Sequence, residues 1–344
     1  MQTSALWANG LTAFRPDGDR GRILYRQVKG QLVQSLGQIA VASRSAVDVN
    51  EASLNSCLDA LTRADHVSAR VFGIYNDLLV SINGQNIPAV SKLFSELVEQ
   101  DFVRQGTGCY NLTDHDLGLA NAARYIRWTD VDPENPLHLT AINEREFDRI
   151  TNMVSEAFAL LDGGAPEISS EIRALVSEIV FAKTSEGERS AFHGVSSFCL
   201  WGVLLCNAQS HETTLEVIQT LAHESCHLHL FGAALDGPLV LNSEDERYPS
   251  PLRPDPRPMD GLYHATYVAA RMYYAIARLL ESGRLDKKLH VQAETDLRGN
   301  MRAFHDGLAT IEAHGRLTEL GNALLADARD YMAGAYTGNQ PALP

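Results

Sequence analysis

The amino-acid sequence predicts a mainly α-helical α+β protein in which a small β-sheet packs beside one central helix. Three observations favour this class. Apolar residues recur about every 3.6 residues through most of the chain, which is the period of an amphipathic helix. Residues 194–208 (GVSSFCLWGVLLCNA) are instead uncharged and almost uniformly apolar, which is typical of buried strands. A strongly capped helix pattern begins shortly after that segment, at Thr213.

Composition and charge exclude several classes of protein. The chain has 344 residues, enough to bury a substantial core. It carries 43 acidic side chains against 29 Lys and Arg, a formal net charge of −14, which is the wrong sign for binding nucleic acid or an anionic membrane. Five cysteines, an odd number, disfavour a disulfide framework and favour a reducing compartment. With no basic-then-apolar start and no apolar run of roughly 18–20 residues, we expect a soluble cytoplasmic protein.

The first part of the chain is predicted to be helical. Helical periodicity covers four segments, residues 24–43, 51–63, 86–104 and 143–161. Residues 129–138 (TDVDPENPLH) combine two prolines with several acids and mark a loop or a boundary. We therefore expect a helical N-terminal region over 1–140 that recognises substrate or partner, a second domain over 141–334 and a tail over 335–344. The pattern over 169–181 permits either a helix or a strand.

The apolar segment and the helix after it are predicted from local signals. Gly202 divides the apolar segment into two short strands. Thr213 and Glu216 then fit a capping box, in which each side chain binds a backbone N–H group of the other residue. A helix should therefore run over about 214–231 and stop at Gly232.

A long loop and a second strong helix come next. The loop covers residues 232–258, and its end, YPSPLRPDPRP, contains five of the thirteen prolines in the chain. Loops of this length in compact domains are usually functional or disordered. A helix is expected over 260–282, closed by Gly283, and residues 287–334 are predicted to form two more helices.

The helix predicted over 214–231 contains His223-Glu224-Ser225-Cys226-His227, an HExxH motif. A spacing of four places both imidazoles on one face, one turn apart, where they can bind one metal ion. Glu224 lies roughly 100° around the helix from His223, so it can approach a metal-bound water without being a ligand. The motif therefore predicts a metal centre.

A catalytic metal needs a further ligand downstream of the motif. Ala233 occupies the position six residues beyond His227, which excludes the metzincin pattern. Two alternatives remain open. One is a glutamate of the loop, Glu244 or Glu246. The other is His264 in the second strong helix, and we favour it because the proline-rich loop that precedes it allows this helix to fold back over the first.

Two blocks of this sequence resemble one known family. HESCH, followed by YPSPLRPDPRPMDGLYH, is similar to the two motif blocks of the HEXXH motif-containing peptide-modification proteins, which occur in biosynthetic clusters for ribosomally made natural products. In the second block Arg257-Pro258, Gly261 and His264 match the family pattern. The resemblance covers about residues 195–275 and is specific at the two blocks.

The resemblance implies an iron(II)- and 2-oxoglutarate-dependent hydroxylase, because some members of the family are described as hydroxylating the β-carbon of residues in a peptide. Iron(II) would be held by His223, His227 and His264, with the remaining positions open to 2-oxoglutarate and O₂. The distal carboxylate of 2-oxoglutarate also needs a cation, preferably a guanidinium. Arg271 lies two turns after His264 on the same helix face, and Arg257 lies in the preceding loop, so both are candidates.

A zinc hydrolase is the alternative that the residues leave open. Three neutral histidines are a ligand set that zinc enzymes use, whereas iron oxygenases more often combine two histidines with a carboxylate. In a peptidase Glu224 would be the general base, and residues 203–208 would be an edge strand that holds the substrate backbone. A non-catalytic binding module is a third hypothesis, which the intact motif disfavours. In the favoured hypothesis the substrate is a peptide or an amino acid.

Overall fold

The computed structural model describes residues 12–47, 49–132, 135–188, 192–252 and 255–338. These ranges contain twelve α-helices and seven short strands, so the predicted mainly α-helical class with a small sheet is confirmed. None of the helices in these ranges is long and apolar enough to cross a membrane.

The helices and strands have the following bounds. The helices are α1 (Gly18–Ser43), α2 (Glu51–Arg63), α3 (Arg70–Asn83), α4 (Ile87–Glu99), α5 (Asp114–Leu117), α6 (Asn121–Thr129), α7 (Glu144–Gly164), α8 (Pro166–Leu175), α9 (Thr214–Ala233), α10 (Met259–Ser282), α11 (Lys287–His314) and α12 (Glu319–Gly338). The strands are β1 (His66–Val67), β2 (Val103–Arg104), β3 (Gly108–Asn111), β4 (Leu139–Thr140), β5 (Glu178–Thr184), β6 (Gly194–Val195) and β7 (Val203–Asn207).

The chain folds as two compact units that interleave in sequence. The helical unit consists of the chain up to residue 21, residues 153–172 and the chain from residue 213 onward. The sheet unit consists of residues 22–152 and 173–212. This division does not coincide with the boundary expected at residue 140. The motif helix α9 belongs to the helical unit and the sheet to the other, so the expected packing of one beside the other stays a prediction.

The sheet unit is built around a mixed five-stranded sheet. Its main path has the order β3-β5-β7-β6. Strand β5 runs parallel to both β3 and β7, and β6 runs antiparallel to β7. Strand β4 pairs antiparallel with the C-terminal end of β5. Val180 of β5 and Leu205 of β7 belong to one buried core with Tyr125 of α6. Strands β1 and β2 form a separate antiparallel pair.

The expectation that residues 203–208 form an edge strand is wrong. Strand β7 lies between β5 and β6, so both of its edges are already paired. All five of its residues are buried, as expected for a strand with both faces covered. The continuous apolar run was therefore the signal of a central strand. The division at Gly202 is correct: its φ is +88°, and a Cβ there would lie only 2.7 Å from Ser177 Oγ.

One predicted helix is shorter than expected, and the structure of a segment that the pattern left open is now assigned. The helix expected over 86–104 ends at Glu99, and the chain continues into β2. Asp101 accepts a hydrogen bond at 2.9 Å from the backbone N–H of Val103, and such a local turn competes with helix continuation. The segment 169–181, which the pattern left open, contains the end of α8 and the start of β5.

In the helical unit, α9 packs on α10 and α10 packs on α11. The capping box at the start of α9 is confirmed: Thr213 Oγ1 accepts from Glu216 N at 3.3 Å, and Glu216 Oε2 accepts from Thr213 N at 3.0 Å. The helix continues through Gly232 to Ala233, because no left-handed residue closes it there. Helix α10 does end at a left-handed glycine, Gly283, with φ +65°.

The last part of the chain forms the two helices expected over 287–334. Helix α12 extends to Gly338, so the first residues of the expected tail are helical. The rest of that tail, residues 339–344, lies outside the described residues.

Candidate metal centre

Helix α9 places the two motif histidines side by side. His223 and His227 are one turn apart, and their Nε2 atoms are 3.0 Å from each other. Their ring centroids lie 4.8 Å apart. Both side chains are partly exposed, whereas most residues of α9 are buried, so this face is the accessible one. The helical spacing has therefore placed two imidazole nitrogens together at the surface of the helical unit.

Helix α10 brings His264 to the same place. Its Nδ1 atom is 2.9 Å from Nδ1 of His227, and the two rings are stacked with centroids 5.2 Å apart. His264 is 8% exposed. The three rings of His223, His227 and His264 form what we call the histidine cluster. The structure thus brings a histidine of the first sequence block together with the histidine of the second.

Two residues near the cluster were not expected from the sequence. Phe231 stacks on His227, with centroids 6.1 Å apart, and also contacts His264 at 5.3 Å. It covers one side of the cluster with an apolar ring. Asp260 lies one turn before His264 and acts on it electrostatically. The four-residue spacing of Phe231 from His227 and of Asp260 from His264 is the signal that could have identified both.

The electrostatics of the cluster favour neutral imidazoles. Burial, together with the neighbouring rings of His223 and His264, holds the pKa of His227 well below its ordinary value. Burial also lowers the pKa of His264, although Asp260 acts in the opposite direction. A neutral imidazole keeps a lone pair on one nitrogen, and this is the form that binds a metal ion.

Glu224 lies beside the cluster. Its Oε1 atom is 3.9 Å from Nε2 of His223, the same nitrogen that faces His227, and its side chain is only 5% exposed. The carboxylate is therefore close to the point where the two motif nitrogens meet. This is the position that the motif predicted for a group next to, but not on, a metal ion.

The donor atoms fit a metal ion in part. Two nitrogen ligands of one ion, each about 2.0–2.1 Å from it, are separated by roughly 2.9–3.4 Å. The pair formed by His223 and His227 meets this requirement. His227 can bind the ion that it shares with His223 through only one of its two ring nitrogens. His223 faces Nε2 of His227, whereas His264 faces Nδ1 of the same ring. In this arrangement no three His, Cys, Asp or Glu side chains of the described residues surround a common point. The role of His264 as third ligand stays a prediction.

The two alternative ligands in the loop, Glu246 and Glu244, differ in their surroundings. Glu246 accepts hydrogen bonds from Tyr248, Asn242 and Arg316, which together lower the pKa of its carboxyl group to about 2. Glu244 is exposed. Nothing in the described contacts brings either carboxylate to the histidine cluster.

The two arginines proposed to anchor 2-oxoglutarate lie in different surroundings. Arg257 forms an ion pair with Asp255 at 2.7 Å, and its backbone pairs with Tyr248. Arg271 is 1% exposed, and one of its Nη atoms binds Glu171. The described contacts join neither arginine to the histidine cluster, so the role of both in cosubstrate binding stays a prediction.

Other residues near the motif have structural partners. Tyr263 donates a hydrogen bond to the carbonyl of Gly321 at 2.9 Å. His229 is completely buried between α9 and α10 and stacks on Tyr267 with centroids 6.2 Å apart. All five cysteines lie in the described part of the chain, where none is in a disulfide.

Neither a protein-family model nor a curated protein sequence matches the chain. The resemblance to the HEXXH motif-containing peptide-modification proteins therefore depends on the residues of its two sequence blocks.

Proposed function

We propose that this protein is an iron(II)- and 2-oxoglutarate-dependent hydroxylase that acts on a peptide or amino-acid side chain in natural-product biosynthesis. The observation that carries the proposal is the histidine cluster: His264 of the second sequence block lies 2.9 Å from His227 of the first. A hydroxylase of the HEXXH motif-containing type requires these two blocks to meet. The proposal includes a cytoplasmic location, where reducing conditions maintain iron(II).

The residues of the cluster would act as follows. His223 and His227 would hold the metal through the nitrogens that face each other. His264 faces the other nitrogen of His227 in this structure, so its ring would have to turn toward that point to act as the third ligand. Bound iron would supply the oxidation, in which O₂ and 2-oxoglutarate convert a C–H bond to C–OH and release succinate and CO₂. Glu224 would orient the ligand His223, which it approaches to 3.9 Å. Phe231 would exclude water from one side of the site.

Anaerobic reconstitution tests the proposal. The purified protein, given iron(II) and 2-oxoglutarate without oxygen, should develop a visible charge-transfer band. On exposure to O₂ it should convert 2-oxoglutarate to succinate. His264→Ala should abolish both signals. The matched control is His290→Ala, because His290 is an exposed histidine of α11 that pairs with Glu294. A protein that binds iron(II) but shows neither signal would contradict the proposal.

A zinc hydrolase is the second candidate, and the position of Glu224 favours it. A buried carboxylate beside two motif histidines is the arrangement in which a general base acts on metal-bound water. The expected substrate-binding edge at residues 203–208 does not exist, because β7 is an internal strand. Tight zinc binding, together with peptide cleavage that Glu224→Gln abolishes, would establish this candidate instead.

A further inference from the structure

A second cluster of charged side chains lies in the helical unit, and we call it the arginine cluster. It consists of Arg20, Glu171 and Arg271, which come from α1, α8 and α10. Nη2 of Arg20 lies 3.0 Å from Oε2 of Glu171, and Nη1 of Arg271 binds the other oxygen of the same carboxylate. The three side chains are at most 6% exposed. Two guanidinium groups therefore share one buried carboxylate.

Several buried polar atoms around this cluster have no hydrogen-bond partner among the described residues. They are Nε and Nη2 of Arg271, Nε of Arg20, the hydroxyl oxygen of Tyr267 and the two ring nitrogens of His229. Tyr267 and His229 are completely buried. Nε and Nη2 form the edge of a guanidinium group that presents two parallel N–H bonds to an anion. Buried donors of this kind are nearly always satisfied in native proteins.

The charges of the cluster do not balance either. Two arginines face one glutamate, which leaves one buried positive charge. The segments 1–11, 253–254 and 339–344, which lie outside the described residues, contain no Asp or Glu in their sequences. The side chains of those segments therefore supply no compensating carboxylate.

We propose that the arginine cluster binds one small monovalent anion, such as chloride or a short carboxylate, inside the helical unit. A single negative charge balances the excess positive charge, and the unpartnered groups supply the hydrogen bonds that an anion accepts. The ring of Phe14 covers the guanidinium of Arg271, with Cζ 5.4 Å from the ring centroid. The cluster is closed to solvent. A small anion that is taken up as the protein folds therefore fits it better than a cosubstrate that must enter and leave in every reaction cycle.

The anion site is separate from the histidine cluster. On α9 the residues that border it are Cys226 and His229, which are about 100° and 160° around the helix from His227. A bound anion would link α1, α8 and α10, whose side chains meet at Glu171. We therefore expect it to stabilise the fold rather than to take part in the reaction at the motif.

Thermal unfolding of the full-length protein tests this proposal. Chloride, bromide and acetate are each titrated against gluconate at constant ionic strength and pH. We expect the midpoint to rise by several degrees with chloride and then to saturate, because a ligand that binds only the folded state stabilises it. An effect of chloride and bromide without acetate identifies a monatomic site, and a larger effect of acetate identifies a carboxylate site.

Two variants separate a specific site from a general salt effect. Arg20→Met leaves the balanced pair of Arg271 and Glu171, so it should remove the dependence on the anion while the midpoint in gluconate is unchanged or higher. Arg278→Met is the control on α10, the helix of Arg271, because Arg278 pairs with Glu167 and Glu281 and is 39% exposed. This control should keep the full anion dependence. A bromide-soaked crystal should show anomalous scattering beside Nε and Nη2 of Arg271.

Three results would overturn the proposal. The first is an equal unfolding midpoint in chloride, acetate and gluconate, and the second is an anion dependence that Arg20→Met does not change. The third is stabilisation by 2-oxoglutarate alone that Arg20→Met removes, which would assign Arg271 to cosubstrate binding. The proposed hydroxylase activity is measured separately and does not depend on either result.

Discussion

The two polar clusters of the helical unit share helix α10 and use it in opposite ways. The histidine cluster combines partly exposed side chains of α9 with His264 of α10, and its environment favours neutral rings. The arginine cluster is buried and holds two permanent cations around Glu171. A neutral, accessible set of nitrogens is suited to binding a cation, and a buried excess of positive charge is suited to binding an anion. Helix α10 can thus contribute to two sites of opposite preference.

The largest predicted effect is on metal affinity, which should depend on the histidine cluster and not on the arginine cluster. We expect His227→Ala to lower the affinity for iron(II) or zinc at least about 100-fold, because it removes a ligand and not merely a group that orients one. Arg20→Met should leave this affinity unchanged, because Arg20 belongs to the arginine cluster. Titration against a competing chelator measures both affinities. A loss of less than about tenfold for His227→Ala would show that the motif histidines do not form the metal centre.

The next effect is on stability and concerns the arginine cluster. Glu171→Gln leaves two buried guanidinium groups without their carboxylate, so we expect it to lower the free energy of unfolding by about 3–5 kcal/mol. Chemical denaturation measures this change. Glu167→Gln is the matched control on α8: Glu167 pairs with Arg278, but its side chain is 24% exposed, so the loss should be about 1 kcal/mol or less. Equal losses for the two variants would contradict the assigned importance of the arginine cluster.

The comparison also shows what sequence reasoning can predict. Helix α9 was predictable because its signals are local: Thr213 and Glu216 set its start, and the four-residue spacing places His223 beside His227. The approach of His264 depended on the resemblance and on the loop before it. The partners of Arg271 were not predictable, because Glu171 and Arg20 are 100 and 251 residues away in the chain. Periodicity places Arg271 on a helix face and says nothing about what packs there.

The same limit explains the errors in the sheet. A run of apolar residues such as 203–207 identifies a buried strand, but the number of neighbouring strands depends on pairings with distant segments. Strand β7 pairs with β5, about 25 residues earlier, as well as with β6, and the two pairings together removed the expected edge. At residues 86–104 the apolar pattern could not show that Asp101 would turn the chain into β2.

A smaller effect on stability should come from the start of α9 and should leave the properties of both clusters unchanged. We expect Thr213→Ala to lower the free energy of unfolding by about 1 kcal/mol, since it removes one half of the capping box. Thr214→Ala is the matched control, because Thr214 bonds only an exposed side chain, Glu156, and should cost less. Neither variant should alter metal affinity or the dependence on chloride. A change in either property after Thr213→Ala would show that the cap positions one of the clusters.

The smallest effect should come from Glu246, which belongs to neither cluster. Its pKa in the folded protein is about 2, below the ordinary value of 4.5, because Tyr248, Asn242 and Arg316 donate to it. The stabilisation is present above pH 4.5 and is lost as the pH falls toward 2. Over this range the unfolding midpoint should fall less for Glu246→Gln than for the natural protein or for the exposed control Glu244→Gln. Metal affinity should be the same in all three proteins, and a loss in Glu246→Gln would make Glu246 the third ligand in place of His264.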